Sequence, residues 1–169
     1  MTYPENIERK LGFTEIRTLL KGRCMSTLGT EWVDTQVQFS TDYEEVVASL
    51  QQVKEFMTFM NEEEDVYEEN FYDVRQPLLR IRPERTYMEE LDLFDLKRSL
   101  QTVVSLVSFL PKTTKEDEPA LSDNEEPNFR YPALARLAEG VACFPDIIRR
   151  IDQVLNKYGK VKDTASPEL

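Results

Sequence analysis

Four arginines lie within eleven residues and form the basic cluster of this sequence: Arg75, Arg80, Arg82 and Arg85. A guanidinium group donates several hydrogen bonds in a fixed geometry and binds phosphate or carboxylate groups through paired bonds. The cluster is therefore a candidate contact for phosphate or for an acidic protein partner. The interleaved Leu78, Leu79 and Ile81 favour the alternative, a half-buried segment whose arginines pair with neighbouring acidic side chains.

Two acidic stretches are the other candidates for chemistry. Residues 62–73 contain seven acidic side chains and no basic one, and residues 115–126 contain six acidic side chains and one lysine. Clustered carboxylates can bind a hard cation such as calcium, but an EF-hand loop needs a central glycine and alternating oxygen ligands, which neither stretch has. We interpret both stretches as solvated loops. Together they carry −12, so the rest of the chain, whose total is −11, carries +1.

The residues needed for most kinds of catalysis are missing. Histidine is absent, which removes the commonest general base and transition-metal ligand. The sequence has neither a GxxxxGK[ST] phosphate loop nor a GxGxxG motif. Cys24 and Cys143 stand alone, are expected to be reduced and buried, and have no histidine to activate them. The sequence therefore predicts no catalytic residue, metal ligand or cofactor site in this chain, and no enzyme activity of its own.

The distribution of charge and apolar residues bounds the location and the partners. The first nine residues are polar and charged, so no secretory signal is predicted. The longest apolar run, residues 103–110, is too short to cross a bilayer. We expect a cytoplasmic protein without a membrane partner. Because the net charge is negative, a broad basic surface for sequence-independent nucleic-acid binding is not predicted, although a local patch remains open.

Hydrophobic periodicity predicts two long amphipathic helices, over residues 43–60 and 87–110. In the first helix, apolar residues alternate at steps of three and four, the a/d spacing of helices that pack on helices. This stripe is expected to face the core: Tyr43, Val46, Leu50, Val53, Met57 and Met60. The second helix repeats the spacing from Leu93 to Leu110, and its second half is apolar nearly all round, which is typical of a helix surrounded by others.

Shorter helices are expected before and after these two. Their predicted spans are residues 6–20 with a weak point at Gly12 and a stop at Gly22, 27–33 after Ser26, 131–140 and 146–158. A further short helix, capped by Asp73 and ended by Pro83, is expected to include Leu78, Leu79 and Ile81. Ser40 or Thr41 is expected to cap the first long helix, and Trp32, Phe59 and Leu137 are expected inside. No strand pattern of convincing length occurs. The predicted architecture is an all-α bundle.

The end of the chain resembles one helix ending and another beginning. Tyr158–Gly159 has the pattern of a helix C-terminus with glycine in the left-handed conformation, and residues 160–162 are a connector. Asp163 or Ser166 then supplies an N-cap, and Pro167 and Glu168 supply a first helical residue and an early acid. We expect the front part of a longer protein, with a helical domain part at 1–162 and the start of a truncated helix at 163–169.

Several ordered segments match the pattern of one known family. They are residues 11–17 (LGFTEIR), 24–29 (CMSTLG), 42–45 (DYEE), 52–55 (QVKE), 73–75 (DVR), 131–134 (YPAL), 151–152 (ID) and 159–169 (GKVKDTASPEL). In their order and spacing they resemble the start of the bacterial MutS paralogue usually called MutS-two. The two acidic stretches match that pattern least.

The resemblance implies a DNA-binding, ATP-hydrolysing dimer that lacks the mismatch-reading domain of mismatch-repair MutS. Such proteins are linked to DNA repair and the restraint of recombination, in some members to the rescue of stalled ribosomes, and many carry a C-terminal nuclease domain. For this chain it implies the N-terminal helical part of the core, or lever, domain, which transmits the state of the ATPase to the DNA clamp.

No functional residue of the family transfers to these positions, and ATP and magnesium are implied only for the parent protein. The implied partners are the clamp and ATPase domains of the same protein, DNA through that parent, and a second copy in a homodimer. Two alternatives stay open: a helical protein-interaction module without a nucleic-acid role, and direct nucleic-acid contact through the arginine cluster.

Overall fold

The computed structural model describes residues 6–62, 71–110 and 129–165, and over these ranges it confirms the all-α prediction. Eight helices make up most of the regular structure of these ranges, and Leu155 and Val161 form an isolated antiparallel bridge. The helices are α1 Ile7–Lys10, α2 Phe13–Lys21, α3 Thr27–Gln36, α4 Tyr43–Glu62, α5 Arg75–Arg80, α6 Glu90–Phe109, α7 Pro132–Ala138 and α8 Pro145–Val154. The chain divides into two compact units, Met1–Phe39 and Ser40–Leu169.

Local chemistry determines the helix ends in the first unit. Gly12 has φ +73°, a left-handed conformation that interrupts the expected helix and separates α1 from α2. Gly22 follows the last residue of α2, as predicted. The Ser26 hydroxyl oxygen accepts a hydrogen bond from the Gly29 backbone N–H at 3.2 Å, which caps α3. The predicted roles of Gly12, Gly22 and Ser26 at helix ends are therefore confirmed. The predicted end of α3 at residue 33 is wrong, because the helix continues to Gln36.

Arg17 links the three helices of the first unit. Its guanidinium group donates to the Val33 carbonyl oxygen at 2.7 Å on α3 and to the Glu8 carboxylate at 3.0 Å on α1. Val33 is buried, whereas Trp32 is 59% exposed, so the prediction that this tryptophan lies in the core is wrong. Adjacent helical positions point about 100° apart, and only one of these two faces the neighbouring helix.

The cap of α4 is Asp42, one or two residues later than predicted. Its carboxylate accepts a hydrogen bond from the Glu45 backbone N–H at 3.1 Å, and its carbonyl oxygen accepts from Val46 N–H. The Ser40 hydroxyl instead accepts from the Asp42 N–H at 3.1 Å. Asp42 is the cap because it directly precedes the first helical residue. From that position its short side chain reaches the third N–H of the helix, that of Glu45.

A cluster of buried rings forms the centre of the second unit. Phe59 of α4, Phe109 of α6 and Tyr131 and Leu134 at the start of α7 pack together. The centroid of the Phe59 ring lies 5.2 Å from that of Phe109 and 5.9 Å from that of Tyr131, both edge to face. Edge-to-face pairs add to the stabilisation that burial supplies. Three helices are joined at this point.

The buried face of α4 is not the one that its periodicity predicts. Glu55 and Phe59 are its buried residues, and they pack on α7. The predicted inward stripe is exposed at all six of its positions, among them Leu50 with 64% of its surface accessible. The a/d spacing identifies a surface suited to a helix, but the contact that forms depends on which partner lies beside it. The prediction that Met57 and Met60 belong to the core is likewise wrong.

Helix α6 lies against α7 and α8. It begins at Glu90, three residues later than predicted, because Glu89 has an extended backbone. Most of its side chains are half-buried, which agrees with an apolar surface nearly all round, and Thr102 and Phe109 are fully buried. Lys97 of α6 forms an ion pair with Asp152 of α8.

The last helix ends at Val154, so the predicted continuation to Tyr158 is wrong. Leu155 instead forms an antiparallel bridge with Val161, and the Asn156 side-chain oxygen accepts from the backbone N–H groups of Tyr158 and Lys160. An asparagine side chain that bonds nearby backbone competes with helix continuation. Leu155 is buried, whereas Tyr158 is exposed.

Gly159 has the predicted left-handed conformation, with φ +77°, but it lies in this turn and not at a helix end. A methyl group added at Gly159 would come within 2.8 Å of the Phe94 ring. We expect Gly159→Ala to lower the free energy of unfolding by about 1–3 kcal/mol, the usual cost of such backbone strain, plus the cost of displacing that ring.

Gly140→Ala is the matched control, measured with it by urea unfolding. Gly140 has φ +73° and nothing within 4 Å of the added methyl group, so it carries the strain without the collision. A smaller loss at Gly140 is expected, and equal losses would contradict a close contact between Gly159 and Phe94.

Three further side chains that were predicted to be buried are not buried in the structure: Leu137, Cys24 and Cys143. Leu137 is exposed, while the small residues Ala133, Ala135 and Ala138 bring α7 close to its neighbours. Cys143 is exposed and Cys24 is half-buried, so neither is buried as predicted. Within the described ranges, no helix is both long enough and apolar enough to cross a membrane.

Some predictions fall outside the described residues. They are the acidic loop at residues 63–70, the acidic linker at 112–128 and the helix start at 166–169. Asp163–Ala165, which precede that last stretch, form a turn. The division into 1–162 and 163–169 stays a prediction.

Candidate functional site

The first arginine of the cluster is held by its own sequence neighbourhood. The Asp73 carboxylate accepts hydrogen bonds from the Arg75 backbone N–H at 3.1 Å and from the Arg75 guanidinium at 2.9 and 2.7 Å. One carboxylate thereby orients both the first turn of α5 and the arginine side chain. Arg75 is paired with an acid, as the structural alternative predicts.

Arg80 is the second paired arginine, and its partner lies on another helix. Its guanidinium donates to the Asp92 carboxylate at 2.5 Å, which connects the end of α5 to the first turn of α6. The Arg80 side chain is well exposed. An exposed ion pair contributes only about 0–1 kcal/mol, so this contact orients the arginine more than it stabilises the fold.

Arg82 and Arg85 differ from the first two. Both are exposed, and neither forms an ion pair with an acidic side chain in the described part of the chain. Arg85 has φ +63°, a left-handed conformation that is uncommon for a residue other than glycine. The predicted pairing with acidic side chains is therefore right for Arg75 and Arg80 and wrong for the other two arginines. The predicted half-buried segment is wrong, because all four arginines are exposed and so are Leu78 and Leu79. The predicted contact with phosphate or a partner stays a prediction.

A small cavity of about 300 Å³ opens beside this segment. Arg80 and Arg85 contribute positive charge to its wall, while Glu89 and Asp92 contribute negative charge. An anion that enters the cavity meets these two carboxylates, which weaken its attraction to the arginines. Arg82 lies outside this lining.

A larger open cleft of about 640 Å³ lies next to it, and the two share Tyr87, Met88 and Glu89. The turn at Tyr158–Lys160 forms one wall, and Leu91 and Phe94 of α6 lie on the other side. Lys160 and Glu90 form an ion pair of 3.2 Å at this cleft. Sequence reasoning missed the cleft because it depends on a turn meeting a helix about 65 residues away; only Gly159 signalled the turn.

The electrostatics of α6 are perturbed at Asp95. Burial raises the pKa of the Asp95 carboxyl, the positive charge of Arg98 lowers it by less, and the negative charge of Asp92 raises it further. A raised pKa in the folded state means that the ionised carboxylate destabilises the fold. The folded state is most stable, as far as Asp95 is concerned, when this carboxyl is protonated, which is the case below the pKa of the unfolded chain. This contribution to stability is lost as the pH rises through the higher pKa of the folded state.

We therefore expect Asp95→Asn to raise the free energy of unfolding at pH 7 by less than about 1 kcal/mol. The gain should shrink as the pH falls through the raised pKa, because wild-type Asp95 then becomes neutral as well. Urea unfolding at neutral and acidic pH measures this. The control Asp92→Asn removes the partner of Arg80 and should show no such gain; a destabilised Asp95→Asn at pH 7 would contradict the electrostatic assignment.

No metal site is built into the described ranges. Among these residues, no group of three or more cysteine, aspartate or glutamate side chains is arranged to hold a metal ion. Most of residues 62–73 and all of 115–126 lie outside the description. The arginine segment and the two cavities beside it present charged and aromatic surface to a ligand.

Comparison with curated proteins finds distant relatives of one kind. The chain is 25% identical over 161 residues to a protein of Thermomicrobium roseum named Endonuclease MutS2. It is 24% identical over 162 residues to a protein of the same name in Clostridioides difficile. Each alignment covers 95% of this chain and 19% of the relative, so the chain spans about a fifth of their length.

No protein-family model matches the chain, and no solved structure matches it. The resemblance found in the sequence motifs and the two relatives point to the same kind of protein. Both extend over almost all of the chain. This chain is similar, at low identity but nearly from end to end, to proteins named MutS2 endonuclease.

Proposed function

We propose that this chain is the N-terminal structural part of a MutS2-type protein, a helical lever region without catalytic activity of its own. One observation carries the proposal: two relatives of the same name align with 95% of this chain but use only 19% of their own length to do so. A segment that corresponds to a fifth of a larger protein, and that itself has no histidine and no phosphate loop, is best explained as a positioning element.

The packing of the second unit supports a mechanical role. Helices α4 and α6 have 20 residues each and are therefore about 30 Å long. They meet at Phe59 and Phe109, and α7 is bonded to α4 by the buried carboxylate of Glu55. Two long helices joined through a close-packed cluster move together, because packed interiors transmit displacement with little compression.

In this proposal the partners are the remaining domains of the same protein. ATP and magnesium act on the ATPase of the parent, and DNA is gripped by its clamp, in a cytoplasmic protein of DNA repair and recombination control. The lever region connects these two events by keeping its helices at constant relative positions. It therefore needs a rigid core and complementary surfaces, and it needs no reactive side chain.

The proposal is tested by calorimetric titration of the chain with ATP and magnesium, together with a DNA-binding assay at physiological salt. We expect no nucleotide binding and only weak DNA binding. Stoichiometric ATP binding would contradict a purely structural role. Tight, salt-resistant DNA binding would assign recognition of DNA to this region and not to a clamp elsewhere.

The arginine cluster makes a separate prediction at low salt, where weak DNA binding is measurable. Replacing both Arg82 and Arg85 with alanine should lower DNA affinity and reduce the slope of log K against log salt by about 1–2, because two cations no longer release counterions. Arg75→Ala is the control, since Asp73 already neutralises Arg75. If the double variant and the control bind DNA equally well, direct contact through this segment is excluded.

A further inference from the structure

The open cleft of about 640 Å³ beside α6 is lined by side chains that attract positive charge. The face of an aromatic ring attracts a cation within about 6 Å of its centroid, and a carboxylate attracts the same cation. The lining contains two carboxylates against one ammonium group, that of Lys160, so the cleft is negative. These rings and carboxylates belong to Tyr87, Phe94, Tyr158, Glu89 and Glu90.

Cations of the chain itself already lie on most of these groups. Three such contacts are Lys160 with the Glu90 carboxylate at 3.2 Å, Lys157 over the Tyr158 ring with its Nζ at 4.9 Å from the centroid, and Arg98 over the Phe94 ring at 5.5 Å. The rings and carboxylates around the cleft therefore bind lysine and arginine side chains wherever the fold brings one close.

Tyr87 and Glu89 differ from these groups. Within the described part of the chain, no cation lies over the Tyr87 ring and no ion pair forms at the Glu89 carboxylate. The Tyr87 side chain is 83% exposed, and Glu89 is exposed as well. The two residues are separated by one position and line the same cleft. One ligand group can therefore contact an aromatic ring and a carboxylate that have no cation of their own.

We propose that this cleft binds an arginine side chain of another polypeptide, whose guanidinium group contacts the Tyr87 ring and the Glu89 carboxylate together. A guanidinium group is planar, stacks on aromatic rings and pairs with a carboxylate through two parallel hydrogen bonds. The ammonium group of a lysine is more strongly hydrated and lacks this planar fit. The net charge of −11 also attracts a basic polypeptide from a distance.

The rest of the lining suits the residues around that arginine. The volume of the cleft lies in the range of about 300–1,000 Å³ that is usual for ligand sites, so it has room for an arginine and its neighbours. Leu91 is 69% exposed, and it offers apolar surface to the methylene groups of the arginine.

An anion suits the cleft less well than a cation. Lys160 is already paired with Glu90, and Arg85 lines only the smaller neighbouring cavity. The proposed ligand thus has the opposite charge to a ligand of the arginine cluster. The inference concerns a separate partner and does not rest on the proposed function.

Titration of the full chain with two short peptides, followed by nuclear magnetic resonance, tests the proposal. One peptide is acetyl-Ala-Arg-Ala-amide, and in the other citrulline replaces arginine, so that a neutral urea group of the same size takes the place of the guanidinium. We expect the arginine peptide to cause saturable shifts in the amide signals of residues 87–91 and 158–160. The citrulline peptide should bind about fivefold more weakly, because it lacks the charge that the ring and the carboxylate attract.

Glu89→Gln and, separately, Tyr87→Leu should each raise the dissociation constant of the arginine peptide about threefold, the effect of losing one exposed contact to a cation. Both side chains are exposed, so the far-UV circular dichroism should stay unchanged. Glu84→Gln is the matched control for charge: it removes an exposed carboxylate of the same loop that lines neither cavity, and it should leave the dissociation constant unchanged.

Three outcomes would overturn the proposal. Equal affinity for the two peptides would mean that the guanidinium charge is not recognised. An effect of Glu84→Gln as large as that of Glu89→Gln would reduce the binding to a general attraction between a basic peptide and an acidic protein. Shifts that are absent at every peptide concentration, or that occur only outside the cleft, would show that the cleft does not bind an arginine side chain.

Discussion

Replacing Phe59 with alanine is expected to lower the free energy of unfolding by about 3–5 kcal/mol, the usual cost of deleting a buried aromatic ring. Phe59 is 2% exposed and contacts the rings of Phe109 and Tyr131, so its loss leaves a cavity where α4, α6 and α7 meet. The three helices cannot close this cavity without giving up their other contacts. Urea unfolding followed by far-UV circular dichroism measures the effect.

Phe56→Ala is the matched control for this prediction. Phe56 lies on the same helix, stacks on Phe59 with ring centroids 5.7 Å apart, and is partly exposed. Its removal opens no enclosed cavity and should cost about 1 kcal/mol. Similar losses at the two positions would mean that the ring cluster around Phe59 does not hold the second unit together.

Replacing Glu55 with alanine is expected to lower the free energy of unfolding by about 2–4 kcal/mol, because two buried N–H groups lose their acceptor. Glu55 is 6% exposed, and its Oε2 accepts hydrogen bonds from the backbone N–H of Ala133 at 2.8 Å and of Leu134 at 3.0 Å. Gln51 donates to the other carboxylate oxygen at 2.9 Å. The Glu55 carboxylate thus caps α7 from a different helix.

The sequence at the start of α7 explains why a side chain from another helix, Glu55 of α4, can cap it. Pro132 is the first helical residue and has no N–H, so Ala133 and Leu134 carry the next donors that the helix cannot satisfy. Tyr131, which precedes the helix, makes no side-chain cap. The negative charge of Glu55 also lies at the positive end of the helix dipole, where it is stabilising.

Two variants separate the hydrogen bonds of Glu55 from its charge and its location. Glu55→Gln keeps an oxygen acceptor and should lose about half as much stability as Glu55→Ala. Glu62→Ala removes an exposed ion pair with Arg130 and a part-buried hydrogen bond from the Tyr131 hydroxyl, and because the Glu62 carboxylate itself is exposed it should cost less than about 1 kcal/mol. If Glu55→Ala proved no more harmful than Glu62→Ala in urea unfolding, Glu55 would not be a buried cap.

The helix content and several of the helix ends and turns could be predicted from the sequence, because they depend on residues that are neighbours along the chain. Gly12 separates two helices, Ser26 caps the third and Gly159 adopts a left-handed conformation, as expected for these residue types. The errors at helix ends also have local causes. Asn156 bonds the backbone of its own turn and ends α8 early, and Asp42 takes the capping position that was assigned to Ser40 or Thr41.

The arginine cluster shows how far such reasoning extends to a candidate site. The pairing of Arg75 with Asp73, two residues away, is a local event that the sequence suggests. The pairing of Arg80 with Asp92 requires the end of α5 to meet the start of α6, and the exposure of Arg82 and Arg85 follows from the same arrangement. Which arginines remain available to a ligand could not be predicted without that geometry.

The sequence by itself determined an all-α chain with two long helices, the left-handed glycine turns and the absence of histidine chemistry. Only the tertiary structure decided which face of α4 is buried. Periodicity records that a helix has an apolar face, but a buried contact needs a partner, and α7 lies some 75 residues farther along the chain. That partner covers Glu55 and Phe59, so a residue that resembles a solvated acid becomes a buried cap, and the apolar stripe that was predicted to face the core is left exposed.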